Sequence, residues 1–451
     1  MNISIFITAF SILTLIYFLV GLHASKTVKN TTDYFLASKN LGFFAVTFTL
    51  IATQIGGGFL LGMSEAAYHI GFFGIFYALG ICIGFFLLSC GFASRIHSMT
   101  VSTTAEIFQT HYKSIFLKKC ASILSIATMS GILIAQIVAS KELLKSVLGS
   151  SNLSQFIFVF LWILIIGYTI LGGLKAVVMT DIFQVIVILV VFWALFAYSL
   201  TTTSSTWFFA DAIKTQSALF PLSYREILLL LPTLIMPALF SLIEQDLAQR
   251  FFAARSKRVA TLSALGAGIA LIFCAGIPVY FGMMTKVQNL PLIPGSSPLL
   301  PSIASLTNNA ILAFVFCALL AAITSTADAL LCAISSNISQ DFDFKWLAIK
   351  NKLQFSQLVT CVTGCVAFIL SFLFNQNIIN ILANSYEISV SALFVPLVFA
   401  YFKKDLHKKS AYLSVIFGFL SFLYFQWHPM IGSSIIILAS SLVGYLIGMK
   451  D

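Results

Sequence analysis

Charged side chains are scarce in this sequence of 451 residues: only 9% are Asp, Glu, Lys or Arg, and 59% are hydrophobic. A soluble domain carries about 25% charged residues, so this composition argues against a water-soluble enzyme, a DNA-binding protein and a disordered chain. The apolar runs are also too continuous for the alternating strands of a membrane β-barrel. The bilayer is the expected solvent, with room for about a dozen helices of about 20 apolar residues each.

Other chemical signals are missing as well. The chain has no GxxxxGK(S/T) loop, which argues against ATP-driven transport. Its six His are scattered without metal-ligand spacing, and no combination of nucleophile and base stands out, so we do not expect an enzyme. The eight Cys lie in or beside apolar segments, which predicts buried thiols rather than disulfides.

The apolar segments predict thirteen membrane-spanning helices. They cover about residues 3–22, 41–69, 71–93, 119–145, 153–173, 176–199, 227–247, 259–285, 310–339, 355–375, 377–402, 409–426 and 432–449. With the N-terminus outside, most basic residues fall in inside loops, as the positive-inside rule requires. The exceptions are Lys141, Lys145, Lys214, Arg225 and Lys286. We therefore expect a multi-pass protein of the cell membrane, taken to be a bacterial inner membrane, with a cytoplasmic C-terminus.

Two of these spans contain helix-breaking residues in their middle. The second span has three glycines at 56–58, and the seventh has Pro232 and Pro237 on either side of Thr233. Each of these spans opens a block of five, and an odd number of spans gives the second block inverted topology. Such a pair of interrupted helices indicates a binding site at the membrane midplane. Close glycine packing and simple proline kinks are the alternatives.

This pattern divides the all-α chain into five parts. Residues 1–40 form a leading helix and an inside loop, and 41–199 form the first five-helix repeat. An outside loop at 200–226 is followed by the second, inverted repeat at 227–403. Two trailing helices occupy 404–451.

Oxygen atoms on the ninth span predict a sodium site. The carbonyl of Ala322 lies near the hydroxyls of Ser325 and Thr326, one helical turn further on. Carbonyls of Ala52 and Ile55, beside the glycines, would complete the shell of a hard cation. The alternative is that both hydroxyls bond to their own helix or join helices together.

Two acids lie within apolar helices. An acid at a helix centre costs about 2.5–3.5 kcal/mol on insertion scales, so Asp181 and Asp328 are predicted coupling residues. Asp181 could instead be interfacial, and Asp328 could be a structural hydrogen-bonding centre or a proton site. The segment after the seventh span predicts a cytoplasmic gate with ion pairs among Glu244, Asp246 and Arg250, or else a plain anchoring helix.

Glu387 is the leading candidate for contacting the solute. If it faces the cavity, it favours a solute with an amine or a hydroxyl donor; pairing with Lys141 and a proton-site role are the alternatives. Further candidates for the cavity are Gln54, Gly57, Tyr77, Gln136, Trp207 and Thr233.

Several stretches together carry a family resemblance. They are residues 33–37 (DYFLA), 62–64 (GMS), 172–184 (GGLKAVVMTDIFQ), 249–254 (QRFFAA) and 321–328 (AAITSTAD), the last followed by Ser335, Ser336 and Asp341. In these, the chain resembles the sodium:solute symporter family, which includes bacterial proline, pantothenate, sialic-acid and sodium/sugar transporters. The resemblance covers about residues 1–449.

The resemblance implies an inverted-repeat fold of the LeuT type with an extra leading helix. It also implies Na⁺ bound at the five positions reached above by counting oxygens, and it matches Asp181 to a family acid linked to sodium coupling or exit. Sugar-transporting members carry Glu after a tyrosine of the third span, where this chain has Tyr77 and then Ala78. That difference argues against a sugar as the solute.

The function predicted from all of this is sodium-coupled import of an amino acid, an organic acid or an amine by alternating access. The partners are then the solute, Na⁺ and the lipid bilayer, without nucleic acid. One alternative keeps the fold but couples transport to protons through Asp328, Asp181 or Glu387. Another, from a different class, is a channel or a membrane-embedded sensor.

Overall fold

The computed structural model describes residues 3–202, 212–292, 296–344, 349, 351–373, 378–403, 406–428 and 430–449. Its regular structure is helical apart from one isolated β-bridge. The helices are α1 (Ile3–Ser25), α2 (Thr31–Leu36), α3 (Phe43–Gln54), α4 (Met63–Ile70), α5 (Phe76–Leu87), α6 (Ala93–Ser98), α7 (Glu106–His111), α8 (Ile115–Leu148), α9 (Asn152–Thr202), α10 (Ala212–Leu219), α11 (Tyr224–Leu229), α12 (Leu231–Phe240), α13 (Gln245–Ala253), α14 (Lys257–Val287), α15 (Leu299–Leu306), α16 (Asn309–Asp341), α17 (Lys352–Leu370), α18 (Ile378–Phe402), α19 (Lys408–Trp427) and α20 (Ser433–Ile447).

Ten helical stretches in the described part of the chain are long and apolar enough to cross a membrane, and two of them, Gly58–Ser98 and Tyr224–Ala253, each join several consecutive helices. Helix α9 has 51 residues, or about 77 Å at 1.5 Å per residue, which is more than twice the hydrocarbon thickness. Its helical geometry is interrupted at Gly173, with φ 53 and ψ −143. A side chain there would also collide with the backbone of Tyr34, so glycine is required for both reasons. The predicted fifth and sixth spans lie on either side of this kink.

The helices pack as two groups with a set of outer helices. Helices α8 and α9 pack against α16 and α17 in one group. In the second group, α14 packs against α3, α4 and α5, and α12 packs against α5. Helix α1 lies against α9 and α16, while α19 and α20 form a pair against α18. The interrupted helices belong to the second group and face the first.

The first interruption lies where the glycines predict it. Helix α3 ends at Gln54, and Ile55 leaves helical geometry with φ −84 and ψ 72 before a π-helical turn at Gly58–Gly62 leads into α4. A Cβ on Gly56 would collide with the Thr326 side chain and would come within 2.9 Å of Gln136 Oε1. The glycines therefore let the facing helices approach closely, rather than supplying a left-handed backbone.

The second interruption is not at the prolines, so its predicted position was wrong. Pro232 and Pro237 lie inside the continuous helix α12, and the chain leaves helical structure at 241–244. Pro232 occupies the first turn, where a missing N–H is tolerated. The carbonyl of Pro237 accepts hydrogen bonds from Ser241 N at 3.1 Å and Ser241 Oγ at 2.8 Å, which closes the helix. Glu244 then takes an extended conformation with φ −63 and ψ 128.

A short backbone bridge joins the two interrupted helices at one end. Leu41 N donates to Ala253 O at 3.0 Å, and Arg255 N donates to Leu41 O at 2.9 Å. These bonds connect the start of α3 to the end of α13. These bonds hold α3 and α13 side by side. They therefore limit the distance between the end of α3 and the start of α13.

Candidate functional site

A cluster of buried oxygen atoms forms where the first interruption meets α16. Ser325 Oγ lies 3.0 Å from the carbonyl oxygen of Ala52 and 2.9 Å from that of Ala322. Thr326 Oγ1 lies 2.9 Å from Thr53 O and 3.4 Å from Ala322 O. Each hydroxyl has a single proton, so it satisfies only one of these carbonyls at a time. Neutral oxygens converging from two helices suit a hard monovalent cation.

Four of the five predicted sodium residues meet in this cluster. The fifth, Ile55, lies at the same interruption, and its N–H donates to Ile51 O at 3.0 Å. Thr53 was missed by the sequence reasoning. Its carbonyl becomes available because α3 ends one residue later, and the sequence places that end only to within a few residues.

Asp328 lies on α16, one turn beyond Ser325, and is fully buried. Tyr168 OH donates to its Oδ2 at 2.5 Å, and Thr180 Oγ1 lies 3.4 Å from the same atom. The other oxygen, Oδ1, has no hydrogen-bond partner among the described residues. A buried carboxylate with one unsatisfied oxygen can accept a proton or face a cation.

Asp181 pairs with Arg250, and both side chains are fully buried. Arg250 Nη2 lies 3.5 Å from Asp181 Oδ2, and Thr49 Oγ1 donates to the same carboxylate oxygen. Arg250 Nε in turn donates to Thr49 Oγ1 at 2.9 Å. Helices α3, α9 and α13 therefore enclose Asp181, so its carboxylate is shielded from solvent.

The predicted gate has a different geometry from the one expected. Arg250 pairs with Asp181, and its bond to Asp246 goes to the backbone carbonyl, with Nη1 to O at 2.8 Å. Among the described residues, Glu244 and Asp246 make no ion pair. The break at 241–244 places both acids beside the first interruption, so the expectation of ion pairs from these acids to Arg250 was wrong.

A small cavity of about 20 Å³ lies between the two interruptions. Its polar lining comes from both broken helices and from facing ones: Thr53, Gln54, Tyr77, Gln136, Glu244, Asp246, Thr326 and Tyr386. This volume holds about one water molecule. The described conformation therefore encloses a polar space that is too small for an organic solute.

Tyr386 closes one side of this cavity and was not singled out by sequence reasoning. Its hydroxyl lies 2.8 Å from that of Tyr77, with the two rings stacked at 6.3 Å. Phe240, the last residue of α12, stacks on the other side of Tyr386 at 4.7 Å. The Tyr–Tyr hydrogen bond joins α5 to α18 across the cavity.

The predicted solute residues divide into two sets. Gln54, Tyr77 and Gln136 line the cavity, and Gln136 Oε1 also accepts the N–H of Gly57 at 2.8 Å. Glu387 does not line it, because its Oε1 accepts a hydrogen bond from Ser434 Oγ on α20 at 3.0 Å.

Three expectations about candidate residues remain. Thr233 is half-buried in α12, two turns before the interruption, and does not reach the lining. Lys141 is not the partner of Glu387, since its Nζ lies 4.9 Å above the ring of Phe372. Trp207 falls outside the described residues.

Comparison with known proteins agrees with this architecture. The model of the sodium:solute symporter family matches residues 34–418. A solved Na⁺-coupled sialic acid symporter, in a substrate-bound outward-open state, superposes with a TM-score of 0.83 at 17% identity, covering 99% of this chain and 98% of that one.

Two more distant structures share the fold. A nucleobase-cation-symport-1 family transporter, in a closed conformation with bromovinylhydantoin bound, gives a TM-score of 0.59 at 13% identity over 92% of this chain and 93% of its own. MhsT in complex with L-phenylalanine gives 0.57 at 16% identity over 91% and 98%. At these identities the likeness concerns the fold alone.

The chain belongs to the sodium:solute symporter family. The protein is a sodium-coupled solute symporter, embedded in a membrane by multiple helices. The family resemblance inferred from the sequence is confirmed.

Proposed function

We propose that Na⁺ binds at the oxygen cluster of Ala52, Ile55, Ala322, Ser325 and Thr326, with the Thr53 carbonyl as an additional ligand. The observation that carries this proposal is the approach of Ser325 Oγ to carbonyls on two separate helices, at 3.0 and 2.9 Å. Rotation of the two hydroxyls turns their lone pairs toward a central ion. Because the ligands come from both α3 and α16, bound Na⁺ fastens the two helix groups together.

A sodium titration tests this site without knowledge of the solute. We expect NaCl, but not KCl or choline chloride at equal ionic strength, to raise the melting temperature of the purified protein. Ser325→Ala and Thr326→Ala should weaken this effect. Ser335→Ala is the matched control, because Ser335 lies on the same helix and, among the described residues, its hydroxyl bonds to Leu331 O of its own helix at 2.6 Å. Unchanged sodium dependence in both site variants would rule out the assignment.

The membrane topology is proposed to comprise thirteen spans, with inverted repeats at 41–199 and 227–403. Supporting observations are the kink that divides α9 and the shorter apolar helices Phe43–Gln54 and Ser433–Ile447, which add to the ten long spans. The charge distribution supports an N-terminus outside and a C-terminus in the cytoplasm, and the membrane is proposed to be a bacterial inner membrane.

The solute is proposed to be a small organic molecule with an amine group, either an amino acid or a simple amine. Glu244 and Asp246 line the cavity with exposed fractions of only 7% and 0%. Arg250 attracts both acids electrostatically, but among the described residues neither acid makes an ion pair, and the guanidinium pairs with Asp181 instead. Two neighbouring buried carboxylates strongly resist double ionisation unless a cation or a proton compensates them. Gln54 and Gln136 add neutral hydrogen-bonding groups for the rest of the molecule.

Alternating access is proposed as the transport mechanism, and the small size of this cavity supports it because a solute would need a second, more open conformation. Separation of Tyr77 from Tyr386 would open one side, and separation of α3 and α13 from α16 would open the other. The helix group of α3 and α13 is proposed to rock against the group of α8 and α16, about sites lying on their boundary. By linkage, Na⁺ and solute raise each other's affinity by the same factor.

A panel of amines, amino acids, organic acids and sugars tests the solute class by thermal stabilisation, with and without NaCl. We expect stabilisation by an amine-bearing compound, and its loss in Glu244→Gln and Asp246→Asn. Glu387→Gln is the matched control, since that carboxylate is outside the cavity. Stabilisation by an amine-free acid that survives in both cavity variants would overturn the proposed solute class while leaving the sodium site intact.

Proton coupling is the second candidate, favoured by Asp328 Oδ1, which has no hydrogen-bond partner in the described part of the chain, beside the Tyr168 hydrogen bond. In this case a proton on Asp328 would replace the ion. Uptake into proteoliposomes driven by a pH gradient without sodium, and lost in Asp328→Asn, would select this mechanism.

A further inference from the structure

A second cavity, of about 460 Å³, lies between the end of α8, the start of α9 and the 3₁₀ turn after α17. It is remote in sequence from the interruptions, and the proposed sodium and solute sites do not use it. Its lining is Lys141, Lys145, Gly149, Ser150, Ser154, Gln155, Phe158, Val159 and Phe372. The cavity thus combines two cationic side chains, several polar groups and an apolar wall.

The two lysines concentrate positive charge at this cavity. Lys141 and Lys145 are four residues apart on α8, so their side chains project from the same helix face. In the described part of the chain, neither makes an ion pair. Lys141 Nζ instead lies 4.9 Å from the ring centre of Phe372, which leaves its N–H donors available to an anion. Ser150, just before α9, adds a hydroxyl on the same side.

The apolar wall continues onto the surface that faces lipid. Phe158 and Phe372 form an aromatic pair with ring centres 6.3 Å apart. Next to them, Phe156 is 67% exposed and Leu373 is 76% exposed. Large exposed apolar side chains beside a membrane span are expected where acyl chains cover them. An occupant with both an anionic group and a hydrocarbon chain would satisfy both halves of the cavity.

The depth of the lysines matches the headgroup region. Lys145 is three residues before Leu148, the end of α8, which is about 4.5 Å along the axis. Lys141 is one turn deeper. Long basic side chains near a helix end place their charge at the level of lipid headgroups.

We propose that this cavity binds an anionic phospholipid, with its phosphate at Lys141 and Lys145 and an acyl chain along Phe158, Val159 and Phe372. A water-soluble organic anion offers the same charge but leaves the apolar wall and its exposed continuation uncovered. The lipid therefore fits the whole cavity, whereas a soluble anion fits only its basic end. Bound here, the lipid would link α8, α9 and α17, all from one helix group.

Native mass spectrometry of the delipidated full-length protein tests the proposal with two lipids, phosphatidylglycerol and phosphatidylcholine. We expect phosphatidylglycerol to bind preferentially. Each of Lys141→Gln and Lys145→Gln should weaken its binding about fivefold, as expected for one basic residue near an anionic headgroup. Lys113→Gln and Lys119→Gln, at the other end of α8, are the matched controls and should leave this binding step unchanged.

Two results would overturn the proposal. One is equal binding of both lipids, or phosphatidylglycerol binding that persists in the double variant of Lys141 and Lys145. The other is displacement of phosphatidylglycerol by glycerol 3-phosphate at similar concentration, which would assign the cavity to a soluble anion. Sodium-dependent stabilisation should remain in the double variant. This measurement, which does not depend on lipid binding, would show that the variant is folded.

Discussion

The two interrupted helices meet at one small cavity but contribute different chemistry. At the first break, the carbonyls of Ala52 and Thr53 face the hydroxyls of Ser325 and Thr326, all of which are neutral. At the second break, the acid Glu244 is the last residue before α13, and Asp246 follows within its first turn. Neutral oxygens coordinate a cation without adding a negative charge to the protein interior. Buried carboxylates carry such a charge and therefore need a compensating positive one.

This difference is the basis for proposing the ion at the first break and the solute at the second. A dehydrated alkali ion needs several oxygens at short range, which a frayed helix end supplies with little rearrangement. An organic cation needs directional acceptors and a charge partner, which carboxylates supply. Arg250 lies on the second broken helix yet bonds to Thr49 on the first and to Asp181 on α9, so it couples both halves mechanically.

Removal of Arg250 should have the largest effect. Arg250→Ala leaves Asp181 buried without its ion pair, and breaking a buried pair costs about 3–5 kcal/mol. We expect a marked fall in melting temperature and loss of both sodium and solute binding. The double variant Arg250→Ala with Asp181→Asn should recover much of the stability, since the carboxylate that Arg250 pairs with is then removed as well. Equal melting temperatures for the wild type and Arg250→Ala would show that the two broken helices are not joined by this contact.

A side chain at Gly56 should disturb the first interruption alone. The added methyl of Gly56→Ala would collide with Thr326 and lie 2.9 Å from Gln136 Oε1, and such overpacking costs about 1–3 kcal/mol. Sodium-dependent stabilisation should be lost. Gly42→Ala is the matched control, because nothing lies within 4 Å of its Cβ. Retained sodium dependence in Gly56→Ala would mean that the close approach is not needed for the ion.

Removal of the Thr326 hydroxyl should have a smaller, local effect on sodium binding. Thr326→Val keeps the shape but removes an oxygen that lies 2.9 Å from Thr53 O, while Thr326→Ser keeps it. If one oxygen ligand contributes about 1–2 kcal/mol of binding free energy, its loss raises the sodium concentration at half-maximal stabilisation roughly 5- to 30-fold. Sodium titrations of both variants measure this. Similar midpoints for Val and Ser would indicate that the methyl group, rather than the oxygen, matters at this position.

Thr233→Ala should have the smallest effect. The side chain is half-buried and away from the cavity, so we expect changes within about 0.5 kcal/mol in stability and none in ligand binding. A selective loss of solute stabilisation would show that the second binding region extends back to the prolines.

The sequence located the oxygen cluster at the first break better than it located the lining of the cavity. Ala52, Ser325 and Thr326 could be found because a hydroxyl pair on one helix and a glycine run on another are both local patterns. The second break could not be located from Pro232 and Pro237, because a proline at a helix start or beside a bonding serine does not end the helix. Glu387 was expected at the cavity but contacts Ser434 on α20. Which face of α18 packs against α20 depends on the tertiary structure and could not be inferred from composition.

The sequence by itself determined the membrane environment, because hydropathy acts residue by residue along the chain, and the family, because its motifs are short local stretches. It also determined which segments carry helix-breaking residues. The tertiary structure alone decided that Arg250 pairs with Asp181, that Glu244 and Asp246 line the cavity, and that Lys141 lies against Phe372. Such partners come from helices far apart in sequence, and only the packing of all the helices sets which side chains share one desolvated space.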